Sequence, residues 1–327
     1  MKKNGFLGAL YVILASACYG FTPILSNAAL KGGFPAAACT RFFGKGAFAS
    51  ALTESPARAV TNETLVVFVM FAACVMSLFG GIAGRKKLTV SAKQFFSLSL
   101  LGGAALCSTL LLITYAYLYI PAGMTIVINF TYPVFVLLAG LVFFHDKPSG
   151  ALFASLILAI AGIALISSNR FSGSVELRGV LLALASGIAY AVYFLAGKHS
   201  SYNKLDSAVS NFYITGAAAL IAFVVAVMTK RISVPTDAVM WALIVLEAAL
   251  GYIVALRLLL AGIRILGAAP AAAINTLEPV FVLLTSMLIF GETMTAYKLI
   301  GTVLVLTGAL IGILALRRAP KRGKSAS

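Results

Sequence analysis

Ten apolar runs of spanning length follow one another along the chain, at 7–30, 64–84, 95–119, 122–144, 149–168, 177–197, 206–229, 239–263, 268–290 and 296–316. Polar residues collect in short clusters between them. At about 1.5 Å of rise per residue, roughly twenty residues cross the ~30 Å hydrocarbon core of a bilayer. Backbone N–H and C=O groups in lipid must pair within their own segment, so these runs predict helices. The short alternating segments of a membrane barrel are absent. The pattern predicts an all-α polytopic membrane protein of about ten transmembrane helices. An eleventh, weaker stretch at 36–53 carries Arg41 and Lys45. It is expected to be interfacial, re-entrant or a broken part of the second helix, and not a span.

The runs repeat. Ile128-Asn129-Phe130-Thr131-Tyr132-Pro133-Val134-Phe135-Val136-Leu137-Leu138 matches Ile274-Asn275-Thr276-Leu277-Glu278-Pro279-Val280-Phe281-Val282-Leu283-Leu284 at 8 of 11 positions, at an offset of 146. The same offset pairs Asp146 with Glu292 and Gly162 with Gly308, whereas Gly8 with Gly179 and Tyr19 with Tyr190 need 171. The chain therefore reads as a duplication, with a surplus of 25 residues (171 minus 146) inside 31–90 of the first half. Two registers compete there: Arg41-Phe42-Phe43 against Asn211-Phe212-Tyr213, or 64–84 against 210–230. The expected organisation is a first five-helix repeat at 1–170 with an extra segment within 31–63, a second at 171–316, and a basic tail at 317–327. Five crossings per half make the repeats inverted, the arrangement of many secondary transporters, with the substrate site near the midplane between the halves.

Composition agrees with a lipid-facing surface. Only 10% of residues are charged and 61% are hydrophobic, against about 25% charged in soluble domains. The charge is +16, from 25 Lys and Arg against 9 Asp and Glu. It lies between and after the apolar runs, most densely at Arg317, Arg318, Lys321, Arg322 and Lys324. That is a topology anchor near anionic lipid, and nucleic acid is not an expected partner. With ten crossings, 15 basic residues fall on the side of both termini and 9 on the other, so both termini are expected in the cytoplasm. Cys18, Cys39, Cys74 and Cys107 all lie in apolar segments and read as small buried hydrophobes. The N-terminal run reads as a permanent helix without a convincing cleavage site.

Tyr119-Ile120-Pro121-Ala122-Gly123 followed by Tyr132-Pro133-Val134, then Leu277-Glu278-Pro279-Val280 with Gly291-Glu292, and the Gly301/Gly308 spacing near the end, together resemble the drug/metabolite transporter superfamily, specifically its EamA-type ten-helix members. The resemblance covers nearly the whole chain. The surplus at 31–90 and His145-Asp146 in place of the usual Gly-Glu depart from it. It implies a transporter of amino acids, other metabolites or drugs, in a bacterial cytoplasmic membrane.

Polar groups within apolar runs are costly in lipid and point to function. Glu278, before Pro279, is the leading candidate: it could bind a proton or a substrate amine, or be a capped helix-end carboxylate. Its repeat counterpart is Tyr132. Proline frees the carbonyl four residues back, here that of Asn129 (Pro133) and Asn275 (Pro279), so both asparagines could line the pore or repair the kink. Glu247 is a second candidate for substrate or proton. Arg257, on the same run, is expected to snorkel to the interface. Tyr19, Tyr190 and Tyr252, with Tyr115 and Tyr193, could line an aromatic cavity or simply pack. His145 and His199, at helix ends beside charges, read as solvated. The cavity is expected among the first, third, fourth, sixth, eighth and ninth helices, with Gly102-Gly103 and Gly162 letting helices approach closely.

No H-E-x-x-H, P-loop or G-x-S-x-G occurs, so no ATP site, cofactor, metal or enzymatic role is expected. Uphill movement would need a gradient, and a proton gradient is the coupling to test. The expected function is secondary transport of a small polar or amphipathic metabolite, such as an amino acid, by alternating access. A membrane-embedded enzyme using Glu247 and Glu278, and a scaffold binding other membrane proteins, are the alternatives.

Overall fold

A computed structural model describes residues 3–43, 45–53, 55–116, 118–120, 122–145, 149–167, 176–290 and 294–318. The pairs Asp146/Glu292 and Gly291-Glu292, the junction near 170, Pro121 and the end of the basic tail lie outside the described residues.

Among the described residues ten apolar helices follow in order: α1 Gly5–Lys31, α2 Asn62–Ala83, α3 Ala92–Ala116, α4 Met124–Phe144, α5 Gly150–Ile166, α6 Leu177–His199, α7 Ser207–Met228, α8 Ala238–Leu266, α9 Ala268–Ile289 and α10 Ala296–Leu314. Nine reach membrane-spanning length; α5 is shorter but packs along α10. Among the described residues there is no strand, only an isolated bridge between Phe34 and Thr53. The surplus segment forms the short helices Ala36–Phe43 and Ala47–Leu52 and a 3₁₀ turn Pro56–Arg58 between α1 and α2. Eight residues rise about 12 Å, well short of the ~30 Å needed, so this segment does not cross.

The helices pair as a duplicated structure should. α2 packs on α7 and α5 on α10, each with its own repeat partner, while α3 packs on α6 and α8 on α1, which exchange under the same relation. The ends of α2 and α7 match. After α2, Arg85 N–H donates to Ile82 O and Lys86 N–H to Gly81 O; after α7, Lys230 N–H donates to Val227 O and Arg231 N–H to Ala226 O. Both turns need a left-handed residue, Arg85 (φ 50°) and Lys230 (φ 54°). The same turn closes both helices, which is what the register pairing 64–84 with 210–230 leads one to expect.

Two kinds of irregularity matter for the site. α1, α4 and α9 are broken in mid-membrane, at Gly20-Phe21, Phe130-Thr131 and Thr276-Leu277. Each second half opens with a residue and a proline: Thr22-Pro23, Tyr132-Pro133 and Glu278-Pro279. Proline is favoured there because its missing N–H is unpaired in any first turn. α3 and α8 each contain a π-helical stretch, Leu98–Ala104 and Ala248–Ala255. Elsewhere helices meet on small residues: a Cβ on Gly162 would lie 2.5 Å from Gly301 O, and one on Gly103 2.6 Å from the Ala217 Cβ. Lipid gives no hydrophobic drive for helix association, so such close approach is what holds α5 to α10 and α3 to α7.

Candidate functional site

The breaks in α4 and α9 bring their repeat-matched residues together at the centre. Asn275 is fully buried, and its amide Nδ2 donates to the Tyr132 hydroxyl at 3.0 Å and to Glu278 Oε2 at 3.2 Å. Its Oδ1 accepts from Ser16 Oγ of α1 at 3.1 Å. All three partners of this amide come from broken helices, so the site exists only where the halves meet. Asn129, the counterpart, donates instead to Ser186 Oγ of α6 at 2.8 Å. Asn275 thus ties α9 to α1 and α4 while also spanning its own break, and Asn129 ties α4 to α6.

Beside this node lies an aromatic cluster. The Tyr132 ring sits 4.6 Å from that of Tyr190 and 5.1 Å from Phe194, and Tyr190 lies 6.1 Å from Tyr193. Tyr19 and Tyr252 are within electrostatic reach of Glu278. Tyr115 lies apart, donating to Glu63 Oε1 at 2.8 Å, and Glu63 also pairs with Arg231 at 3.3 Å.

A cavity of about 580 Å³ reaches this centre. Its polar groups are Asn27, Lys31, Asn129, Glu278, Ser286 and Lys298. Phe34, Pro35 and Ala37, on the stretch that follows α1, stand with Lys31 at its mouth, so it opens on the face opposite residue 3. Its walls come from α1, α3, α4, α5, α9 and α10. The expected lining by α6 and α8 is corrected: those helices lie behind the closed Tyr132 layer, because the pathway is open on one side only.

Glu247 is brought elsewhere. It is 4% exposed, accepts from Ser26 Oγ of α1 at 2.7 Å, and its Oε2 has no partner. It stands behind the cavity wall and does not line the cavity. Arg257 is half-buried and within electrostatic reach of Asp206 at the shut face. Gly80 lacks a side chain and leaves a slot that the guanidinium fills, with Nε and Nη2 buried and unpartnered. His199 is exposed at the end of α6 and also stacks on Phe144 at 3.8 Å, beside an apolar groove between α4 and α6.

The model of the EamA-like transporter family matches residues 46–168 and again 177–314. The chain belongs to the EamA-like transporter family. It is similar to an uncharacterized transporter of Clostridium kluyveri, with 22% identity over 78% of this chain and 84% of that protein. It is also similar to the threonine/homoserine exporter RhtA of Salmonella typhimurium, 24% identical over 62% of this chain and 66% of the exporter, just short of two thirds of that protein's length. A solved crystal structure superposes with a TM-score of 0.76 over 95% of this chain and 98% of its own, at 15% identity. That likeness shows a shared fold. The protein is a membrane transporter, and lipid is its surroundings.

In this transporter the face of residue 3 is shut. Arg264 at the end of α8 donates to the carbonyls of Leu205 and Tyr202 and to Ser207 Oγ and Ser210 Oγ. Lys198 donates to Arg264 O, and Lys86 pairs with Asp206 at 2.9 Å. Burial raises the carboxyl of Asp206, but the Lys86 ammonium and the Ala208 amide outweigh it and hold the group below its usual value. Several of these residues escaped sequence reasoning. Ser16, Ser26 and Ser186 are common in apolar helices and carry no pattern. The break in α1 had a readable signal, a Thr-Pro step inside an apolar run like those at Tyr132-Pro133 and Glu278-Pro279.

Proposed function

We propose that this transporter moves a small metabolite carrying an amine, such as an amino acid, by alternating access, with Glu278 receiving the amine. The supporting observation is the one-sided cavity, which ends on the only acidic side chain among its described lining residues. Its volume suits a small solute and not a polymer. Asn275 holds one carboxylate oxygen, which orients the group toward the cavity. Asn129 and Ser286 add neutral hydrogen-bonding groups, and Tyr132, Tyr190, Tyr19 and Tyr252 lie behind the cavity's lining, where they would meet the substrate's carbon skeleton as the pathway opens to the other face. Lys31 and Lys298 at the mouth favour a substrate that also bears an anionic group, hence a zwitterion. The similarity to a threonine/homoserine exporter supports an amino acid as cargo and export as the direction.

The halves 1–170 and 171–316 rock about the Asn275 node, with Pro133 and Pro279 fixing the breaks that allow it. A proton on Glu278 or Glu247 exchanging with the substrate is the coupling we infer. The setting is a bacterial cytoplasmic membrane with both termini in the cytoplasm, so the cavity faces outward.

Uptake of a panel of labelled amino acids into proteoliposomes, with and without a pH gradient, tests this for the unsubstituted protein and Glu278→Gln. Saturable flux that is lost in the variant is the expected result. Flux unchanged by Glu278→Gln reduces Glu278 to a structural cap and overturns the assignment.

A further inference from the structure

Buried polarity continues past the cavity's closed floor. From Glu278 and Tyr132 a column of tyrosines runs through Tyr190 and Tyr193 along α6. Tyr193 is within electrostatic reach of Tyr202 and Arg264 at the shut face. Tyr193 and Tyr202 are both fully buried, and neither hydroxyl has a hydrogen-bond partner, although the Ser200 side chain is beside Tyr202. Arg264 Nε is also unpartnered, and its other guanidinium nitrogens meet only neutral carbonyls and hydroxyls. No carboxylate bonds to Arg264 among the described residues; Asp206, within its electrostatic reach, is held by Lys86.

Buried polar atoms are nearly always satisfied. Three orphans gathered around one guanidinium mark groups that find their partner in another state of the molecule. A guanidinium fork matches a carboxylate in both charge and shape, and two neighbouring hydroxyls add donors to the same anion.

We propose that Arg264, Tyr193 and Tyr202 form a second substrate station, which takes the substrate's carboxylate when the transporter opens toward the face of residue 3. This rests on the Glu278 cavity being one end of the same pathway. An amino acid would then be held by its amine at Glu278 from one side and by its carboxylate at Arg264 from the other. Opening must release Arg264 from Leu205, Ser207 and Ser210, and the arriving carboxylate replaces those acceptors.

Tyr193→Phe is the decisive variant. It removes a hydroxyl that bonds to nothing here, so a role confined to this state predicts no effect. With labelled threonine and protein of fixed orientation in proteoliposomes, the expected result is a KM raised about tenfold at the face of residue 3, the equivalent of about 1.4 kcal/mol, and unchanged within about twofold at the other. Arg264→Lys is expected to shift the same KM further. Equal shifts at both faces, or none at either, overturn the proposal. Absence of threonine flux in the unsubstituted protein counts against the transport reading, and a second measurement then decides the station. Sodium acetate at constant ionic strength should raise the thermal unfolding temperature of the unsubstituted protein more than that of Tyr193→Phe or Arg264→Lys. The same rise in all three overturns it.

Discussion

The breaks in α4 and α9 are two copies of one segment, and they differ where it counts. Both keep an asparagine four residues before a proline, and both open the helix at the same place. The backbone event is common because proline's missing N–H and its clash with the i−4 carbonyl act whatever the neighbours are. The side chains diverge. α4 presents Tyr132 and α9 presents Glu278, while Asn129 faces the cavity and Asn275 is sealed beneath it. One amide, that of Asn275, bonds both Tyr132 and Glu278 at 3.0 and 3.2 Å. A carboxylate in both copies would place two like charges within about 6 Å in a low-dielectric centre, which strongly disfavours ionising the second. Duplication supplied the geometry twice, and electrostatics leaves room for the acid once.

That contrast can be broken by experiment. The largest effect is expected from Glu278→Gln, which should lower transport about a hundredfold, the scale of a lost charged hydrogen bond of 2–3 kcal/mol. Tyr132→Phe should lower it less than tenfold in the same flux assay. Equal losses would show the two copies to be interchangeable after all. Next, Asn275→Ala leaves Tyr132 and Glu278 without their shared donor and should lose about 1–3 kcal/mol of stability, read as a fall in unfolding temperature. Asn129→Ala, beside the cavity where water replaces the amide, should lose less.

A smaller effect, about 1 kcal/mol at the low end of overpacking costs, is expected from Gly20→Ala at the third break. A Cβ there would lie 2.5 Å from the Phe281 Cβ, so the α1 break and α9 must separate. A combined change in flux and unfolding temperature would show that this contact couples the breaks. The smallest lies outside the membrane, at Asp206. Its carboxyl is held below the usual value, so the stability it adds is complete above the unfolded value near 3.9 and disappears as pH falls through the folded one. With Lys86 and Asp206 side chains 48% and 39% exposed, the effect is at most a few tenths of a kcal/mol. Asp206→Asn should accordingly flatten the acid limb of an unfolding curve only slightly. A larger change would mean that the loop charges, and not the breaks, dominate the molecule.

Hydrophobic patterning alone located ten helices to within a few residues, because lipid admits few ways to satisfy a backbone; it left 36–53 ambiguous, and only the parity of the flanking charges set that stretch aside as a span. Internal identity located the two breaks and named Glu278, Asn275, Asn129 and Tyr132, because a proline and a buried acid are expensive enough in a bilayer to be conspicuous wherever they stand. The sequence could not say which of these side chains would share a hydrogen bond, since Tyr132 and Asn275 are 143 residues apart. It placed Glu247 and Arg257 in the membrane correctly but not their surroundings. Ser26, which holds Glu247, and Gly80, which makes room for Arg257, lie on other helices. The closed face, with Tyr193, Tyr202 and Arg264 gathered around missing partners, was invisible for the same reason. Solvation cost is a property of each residue and is written along the chain; who relieves it is a property of the packed helices, decided only when the halves come together.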